Sequence, residues 1–311
     1  MGKVDVHRRE LHAHCYRMLG TLVDADDALQ ETLVRAWRGL DRFEGRSSLR
    51  TWLFRIATNV CLTMLEHRRA RLLPVDLVPA SDPAAAEWVS GGDWLDPYPT
   101  EDRDGPEARA ELRSSLELAF VAAAQHLSPG QRAVLLLREV FGFSAREVAE
   151  MLGTTVVAVN SSLQRARRDV RDRALSANGP TTPEPDSLAA ARAYVTAWES
   201  GDLDAVVALL TADATFQMPP LRVWFQGRAA IASFLHDGPL RDRWRMIPTS
   251  ANGQLAFACY IEEGDGSFIA HSLDVVTRRE DQISDIIAFL RPELVTRFGH
   301  PPILGRGPAG N

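Results

Sequence analysis

Lysine is almost missing from this chain. Lys3 is the only one, and the rest of the 35 basic residues are arginine, which reads as the codon bias of a GC-rich genome rather than as chemistry. Cysteine is nearly as scarce: Cys15, Cys61 and Cys259 lie far apart, which excludes a disulfide framework and points to a reducing, cytoplasmic setting. No apolar run is long enough to cross a bilayer. The stretch from Met1 to Cys15 is charged and lacks the apolar centre of a signal peptide. No membrane association is therefore expected. What remains is 311 residues with 45% hydrophobic and 24% charged side chains, a composition that suits two or three small globular domains.

The net charge of -6 is unevenly spread. Residues 1–72 carry a net +4, residues 73–108 a net -8, residues 109–186 a net +1 and residues 187–311 a net -3. A basic amino-terminal module is followed by an acidic connector, so the acidic total does not exclude a nucleic-acid partner.

Hydrophobic spacing divides the chain further. Residues 1–72 read as helices, with Leu49, Trp52, Leu53, Ile56, Val60 and Met64 at helical intervals. Asp24 is expected to cap an earlier helix whose buried stripe is Ala28, Leu29, Leu33, Trp37 and Leu40. Residues 73–108, rich in proline, glycine and aspartate, read as a linker. Within it Trp94, Leu95 and Tyr98 of "DWLDPYP" are costly to leave in water, so this part is expected to be pinned to a neighbouring domain. Residues 109–175 are helical again, 176–186 form a second linker, and 187–298 begin with helices and turn to strands. "FIAHSLDVVT" and "QISDIIAFL" read as β-strands around a charged turn, and 299–311 as a loose tail.

The most informative stretch is "FSAREVAEMLGTTVVAVNSSLQRARRDV". Ser144 and Glu147 fit a capping box, Gly153 a turn, and Thr154 or Thr155 the cap of a second helix. The buried stripe of that helix is Val156, Val159, Leu163, Ala166 and Val170. Its other face carries Val157, Asn160, Gln164, Arg167, Arg168 and Arg171, flanked by Ser161 and Arg165. This is the pattern of a helix-turn-helix, with amides and hydroxyls placed to read base edges and arginines placed to hold phosphates. An ordinary helical hairpin with a solvated face is the alternative. In the amino-terminal module the loop "FEGRSS", Phe43 to Ser48, precedes a helix that presents Thr51, Arg55, Thr58 and Asn59 on one face, with Arg46 and Arg50 near its start. An aromatic loop beside a basic helix suits unstacked single-stranded bases.

Two blocks together carry a resemblance. "DADDALQETLVRAWRGLDRFEGRSSLRTWLFRIATNVCL" resembles region 2, and "LSPGQRAVLLLREVFGFSAREVAEMLGTTVVAVNSSLQRAR" resembles region 4, of the extracytoplasmic-function group of sigma-70 factors. The resemblance implies a dissociable promoter-recognition subunit whose partners are the RNA polymerase core (β′ and β subunits) and promoter DNA. By position, Asp27, Gln30, Glu31 and Arg35 match contacts for the β′ coiled coil. Phe43, Arg46, Ser48, Arg50, Thr51, Arg55 and Asn59 match the group around the minus-ten strand. Val157, Asn160, Ser161, Gln164, Arg165, Arg167 and Arg168 match the minus-35 face, although the family often has arginine where Asn160 and Ser162 stand here. Linkers of the family thread the channel by which RNA leaves, a place where the acidic connector could lie in place of a polyanion; a solvated acidic tether is the alternative.

The last third, "ARAYVTAWESGDLDAVVALLTADATFQMPPLRVWFQGRAAIASFL", resembles the SnoaL-like, ketosteroid-isomerase-like cone fold. The expected fold class is thus multidomain: two all-α sigma modules, a region 2 bundle and a region 4 helix-turn-helix, then an α+β cone. In sigma factors of this kind such an extension is thought to regulate the sigma factor. Tyr194 falls at the isomerase's oxyanion tyrosine, but Met218 stands where the fold's enzymes hold a basic aspartate, so catalysis is not expected. Tyr194, Trp198, Phe216, Met218, Trp224, His271 and Asp274 are candidates for a pocket that takes a small ligand, with a filled core as the alternative. No cofactor is implied, and the spacing of His7, His12, His14 and Cys15 fits no structural zinc pattern.

Overall fold

The structure, a computed structural model, describes residues 2–66, 68–100, 117–176 and 187–305. Residues 177–186 of the expected 176–186 linker, residues 101–108 of the connector, the first residues, 109–116, of the second helical stretch and residues 306–311 of the tail lie outside the described residues, while Ser176 is helical rather than linker. The chain divides into two units. One comprises Met1–Leu72, Asp93–Tyr98 and Pro106–Ala177; the other comprises Leu73–Gly92, Pro99–Gly105 and Asn178–Asn311.

The first unit is helical: α1 (Arg8–Leu19), α2 (Leu22–Gly39), α3 (Leu49–Leu65), α4 (Leu118–Gln125), α5 (Pro129–Leu135), α6 (Ala145–Leu152) and α7 (Val156–Ser176). After α5 the chain continues through a π-helical turn over Leu136–Val140. Caps set the starts. Thr21, rather than Asp24, opens α2 by accepting the Asp24 amide at 3.2 Å. Asp24 sits inside the first turn, paired with Arg68 and Arg71. Ser48 caps α3, and Ser144 with Glu147 forms the reciprocal capping box expected for α6. Gly153 ends α6 at a φ of 63°, backbone that a side chain would resist.

The buried stripe of α2 differs from the expected one. Ala28 and Leu29 are buried, but Trp37 is 71% and Leu40 38% exposed. The inward face instead runs through Thr32, Ala36 and Gly39. A Cβ on Gly39 would meet the Trp52 ring at 3.0 Å, so the absence of a side chain there admits the indole of α3. Val156 also departs from its expected place: it is 42% exposed, while Val159, Leu163 and Ala166 are buried.

The carboxy-terminal end of α1 organises the unit. Gln125 Nε2 donates to Arg17 O at 3.1 Å. Arg132, fully buried on α5, donates to Met18 O, to Gln125 Oε1 at 2.7 Å and to Gln125 O at 2.7 Å. Asp96, from the connector, closes the turn between α1 and α2. Its amide donates to Gly20 O at 2.9 Å, its carboxylate accepts Leu22 N–H at 3.1 Å, and its carbonyl accepts Tyr16 O–H at 2.7 Å. Trp94 and Leu95 are buried beside it, and Tyr98 lies against Tyr16 with 4.6 Å between ring centroids.

The second unit holds α8 (Ser187–Glu199), α9 (Leu203–Ala208), α10 (Arg228–Asp237) and α11 (Pro292–Arg297) with one seven-stranded sheet. Its strands are β1 (Leu210–Gln217), β2 (Trp224–Gln226), β3 (Trp244–Ala251), β4 (Gln254–Glu262), β5 (Phe268–Arg279), β6 (Gln282–Phe289) and β7 (Ile303–Leu304). The order is β2-β1-β6-β5-β4-β3, with β1 and β6 parallel, the other pairs antiparallel, and β7 paired to β5. The expected β5–β6 hairpin forms around Glu280, which adopts a φ of 58°. Part of the expected loose tail is β7. The connector contributes here too. Ser81 N–H donates to Trp224 O at 2.8 Å, Trp224 Nε1 to Val78 O at 2.8 Å, and Arg222 N–H to Val89 O at 3.0 Å.

Candidate nucleic-acid and polymerase interfaces

Three surfaces of the helical unit collect the sequence-predicted residues. On α2, Asp27, Gln30, Glu31 and Arg35 are all exposed, with Arg35 paired to Glu31 at 2.6 Å. Beside them runs a groove of about 460 Å³ lined by Arg8, Asp26, Leu29, Gln30, Leu33, Val34 and Trp37. Leu33, Val34 and Trp37 were missed as surface residues because helical periodicity assigns Leu33 and Trp37 to the core. The signal that places them outside is the small-residue face at Ala36 and Gly39.

On α7, Val157, Asn160, Ser161, Gln164, Arg165, Arg167 and Arg168 are all exposed. Val157 is 75% exposed, which no core role explains. Arg167 pairs with Glu139 at 2.7 Å. Thr155 caps the helix start, accepting Ala158 N–H at 3.2 Å.

The third surface is α3 with the loop before it. Phe43 is half-buried, its ring 5.1 Å from Trp52, and Arg46 and Ser48 are exposed. Arg55 and Asn59 are exposed on α3, whereas Thr58 is buried with its hydroxyl 2.9 Å from His14 Nε2. Burial holds the His14 imidazole near a pKa of about 3, with Arg17 adding to the effect, so it is neutral. Arg50 and Thr51 are engaged by the segment from Phe141 to Glu147. Arg50 donates from Nη1 and Nη2 to Phe141 O, each at 3.2 Å, and pairs with Glu10 at 3.0 Å. Its guanidinium lies 4.9 Å from the centroid of Phe54 and 4.5 Å from that of Phe143. Thr51 Oγ1 donates to Glu147 Oε1 at 3.2 Å. Glu147 is held below the usual carboxylate range by the Ser144 amide and hydroxyl, with Thr51 and Arg50 adding to the effect.

The family profile described as sigma-70 region 2 matches residues 4–71, that of sigma-70 region 4 matches 117–170, and that of the SnoaL-like domain matches 191–286. The ECF RNA polymerase sigma factor SigG of Mycobacterium tuberculosis is 47% identical over 310 residues, covering 96% of this chain and 83% of that protein. The chain belongs to the extracytoplasmic-function (ECF) sigma factors. It is an alternative sigma factor, a subunit that directs the bacterial RNA polymerase core to specific promoters, with a SnoaL-like domain at its carboxy-terminal end. The RNA polymerase sigma factor CnrH of Cupriavidus metallidurans is 37% identical over 145 residues, covering 46% of this chain and 70% of that protein. The crystal structure of the Mycobacterium tuberculosis ECF sigma factor SigJ superposes with a TM-score of 0.65 at 23% identity, over 97% of this chain and 99% of that one, and so shares the fold.

In the SnoaL-like domain the candidate pocket residues separate. Tyr194, Trp198, Phe216 and Met218 are buried in one apolar core, where Tyr194 stacks on Phe257 at 4.6 Å. Trp224 does not line it. Strand alternation sends its neighbours Val223 and Phe225 into the core and turns Trp224 toward Val78 of the connector. His271 is set apart as well, half-buried at a β-bulge and edge-on to Trp244 at 5.4 Å. Asp274 is buried opposite Phe257 and Ala288, accepting the Ser272 hydroxyl at 2.8 Å. Burial lifts its carboxyl from 3.8 to about 6, against the hydrogen bonds from Ser272 and Cys259. Tyr194 Oη and Trp198 Nε1 are buried near each other, and neither makes a well-formed hydrogen bond.

The raised carboxyl fixes a pH dependence. Between about pH 4 and 6 the folded chain keeps a proton on Asp274 that the unfolded chain has released, so stability falls as pH rises through that window and is flat above it. Asp274→Asn should therefore raise the melting temperature of the SnoaL-like domain at pH 7, and the difference from the parent should vanish near pH 4. Calorimetry across this range checks it; a variant that melts lower at pH 7 contradicts the assignment.

Proposed function

We propose that this sigma factor docks the polymerase core through α2, holds the minus-ten strand with the loop 43–48 and α3, and reads the minus-35 element with α7. The observation that carries the docking role is the apolar groove beside Asp27, Gln30, Glu31 and Arg35, with Trp37 at its edge. An exposed tryptophan among charged residues is the composition of an interface anchor. On α7, exposed Asn160 and Gln164 suit base edges, and Arg165, Arg167 and Arg168 suit phosphates. The protein works in the cytoplasm, where its partners are. It has no chemistry of its own, since Met218 cannot accept a proton at the base position of the cone fold. The SnoaL-like domain regulates initiation.

A ligand-sensing SnoaL-like domain is the second reading. It is favoured by two buried donors, Tyr194 Oη and Trp198 Nε1, near the buried acid Asp274. A small molecule with a hydrogen-bond acceptor is the class that such a group would take.

Run-off transcription with purified core polymerase tests the division of labour. Full-length protein should initiate at its promoters, and a chain ending before Ser187 should initiate with altered yield or promoter choice. Identical behaviour of the two removes the regulatory role. If the domain senses a ligand, a low-molecular-weight cell fraction should change transcription by the full chain alone. For the docking face, Trp37→Ala should weaken core binding about tenfold or more by fluorescence anisotropy, with the melting temperature unchanged; parental affinity would refute the groove. For the DNA face, Arg165→Ala in holoenzyme should weaken binding across all minus-35 sequences, whereas Asn160→Ala should change base preference. Uniform losses from both would contradict the split between phosphate and base contacts.

A further inference from the structure

The two promoter-facing surfaces of the helical unit are not equally available. The polar residues of the α7 face are exposed, with Arg167 alone among the named ones tied to Glu139. The start of α3 is not: Arg50 and Thr51 are occupied by the segment Phe141–Glu147. The nature of that occupation is informative. Arg50 lies between two aromatic faces, Phe54 and Phe143, and spends its N–H groups on a carboxylate, Glu10, and a carbonyl, Phe141 O. Flat rings and anionic or carbonyl oxygens are also what a single nucleic-acid strand offers an arginine: base faces and phosphate oxygens. Thr51 likewise donates to a carboxylate oxygen, Glu147 Oε1. Phe143 is buried, so the segment is seated in the contact rather than passing over it.

We infer that the Phe141–Glu147 turn of region 4 is an intramolecular occupant of the strand-binding face, competing directly with promoter DNA for Arg50 and Thr51. The inference rests on reading α3 as the minus-ten helix. One guanidinium cannot serve Phe141 O and a phosphate within the same slot, so region 4 must leave α3 before the strand can use Arg50. The free chain then binds single strands with an affinity lowered by the fraction of molecules in which the turn is seated. Glu147 keeps its capping role in both states, because its bonds to Ser144 lie within region 4. Release therefore costs α3 its cover without unravelling the helix-turn-helix.

The full chain is tested by anisotropy with a fluorescein-labelled, mixed-sequence single-stranded dodecamer. Phe143→Ala removes one wall of the Arg50 slot and should raise affinity about fivefold, and adding Arg50→Ala should abolish the gain. Unchanged affinity in a folded Phe143→Ala protein overturns the inference, as does a gain that survives Arg50→Ala. A second arm does not depend on that variant folding. The full chain carrying Thr51→Cys and Glu147→Cys is bridged with a short bismaleimide and compared with the same protein capped by a monofunctional maleimide. The bridged form should bind the dodecamer about tenfold more weakly or worse; equal binding overturns the inference. Open-complex formation by holoenzyme carrying Arg55→Ala with Asn59→Ala separates the two readings. If those substitutions have no effect, the minus-ten reading fails and the inference with it. If they impair opening while bridging changes nothing, only the competition fails.

Discussion

The last carbonyls of α1 must find donors, because a helix end buried without partners is costly. Arg17 O, Met18 O and Gly20 O are satisfied by Gln125, Arg132 and the amide of Asp96, residues between 76 and 114 positions further along the chain. This requirement shapes the helical unit. It draws α4 and α5 of region 4 onto region 2, buries the Arg132 guanidinium with its charge spread over carbonyls, and fixes Asp96 in the α1–α2 turn. The placement of Phe141 and Phe143 against α3 follows from the same docking, since the π-helical turn after α5 carries the chain directly to them. Burial lowers the Arg132 pKa only to about 10, so the group stays charged and keeps its donors at neutral pH.

How much of this was legible in the sequence varied with the range of the forces involved. Local chemistry was readable. The Ser144–Glu147 box, the Gly153 turn and the polar face of α7 are set by residues a few positions apart. The family resemblance extended that reading to the order of the regions. What could not be read were features decided by distant partners. Trp37 has the spacing of a core residue, yet it is exposed while Gly39 of the same helix faces the Trp52 ring. Trp224 looks like a pocket residue until strand alternation and the Val78 carbonyl set its direction. Arg132 and Arg50 resemble any other arginine in a chain full of them, yet one is buried and the other is held between two aromatic rings.

The SnoaL-like domain combines a packed apolar core with one buried acid. Met218 is buried in that core among aromatic side chains that include Tyr194, Phe216 and Phe225. Asp274 remains as a buried acid on the core face of β5, opposite Phe257 and Ala288, with Ser272 as its hydrogen-bond donor. A raised carboxyl in an apolar core reduces stability at neutral pH. Its presence there is a cost that packing alone does not require, which is why the ligand-sensing reading attaches to this part of the molecule.

Asp96 carries one more consequence. A residue from the connector, more than twenty positions beyond the last helix of region 2, completes the turn between the first two helices of that region. Region 2 of this protein is thus not a contiguous cassette. An excised fragment ending at Leu72 would lack the acceptor for Leu22 N–H and the donor for Gly20 O, and Tyr16 would lose the carbonyl it caps. A chimaera that takes region 2 from this protein has to carry the short Asp93–Tyr98 segment with the helices. The structural unit is the helices plus their clasp.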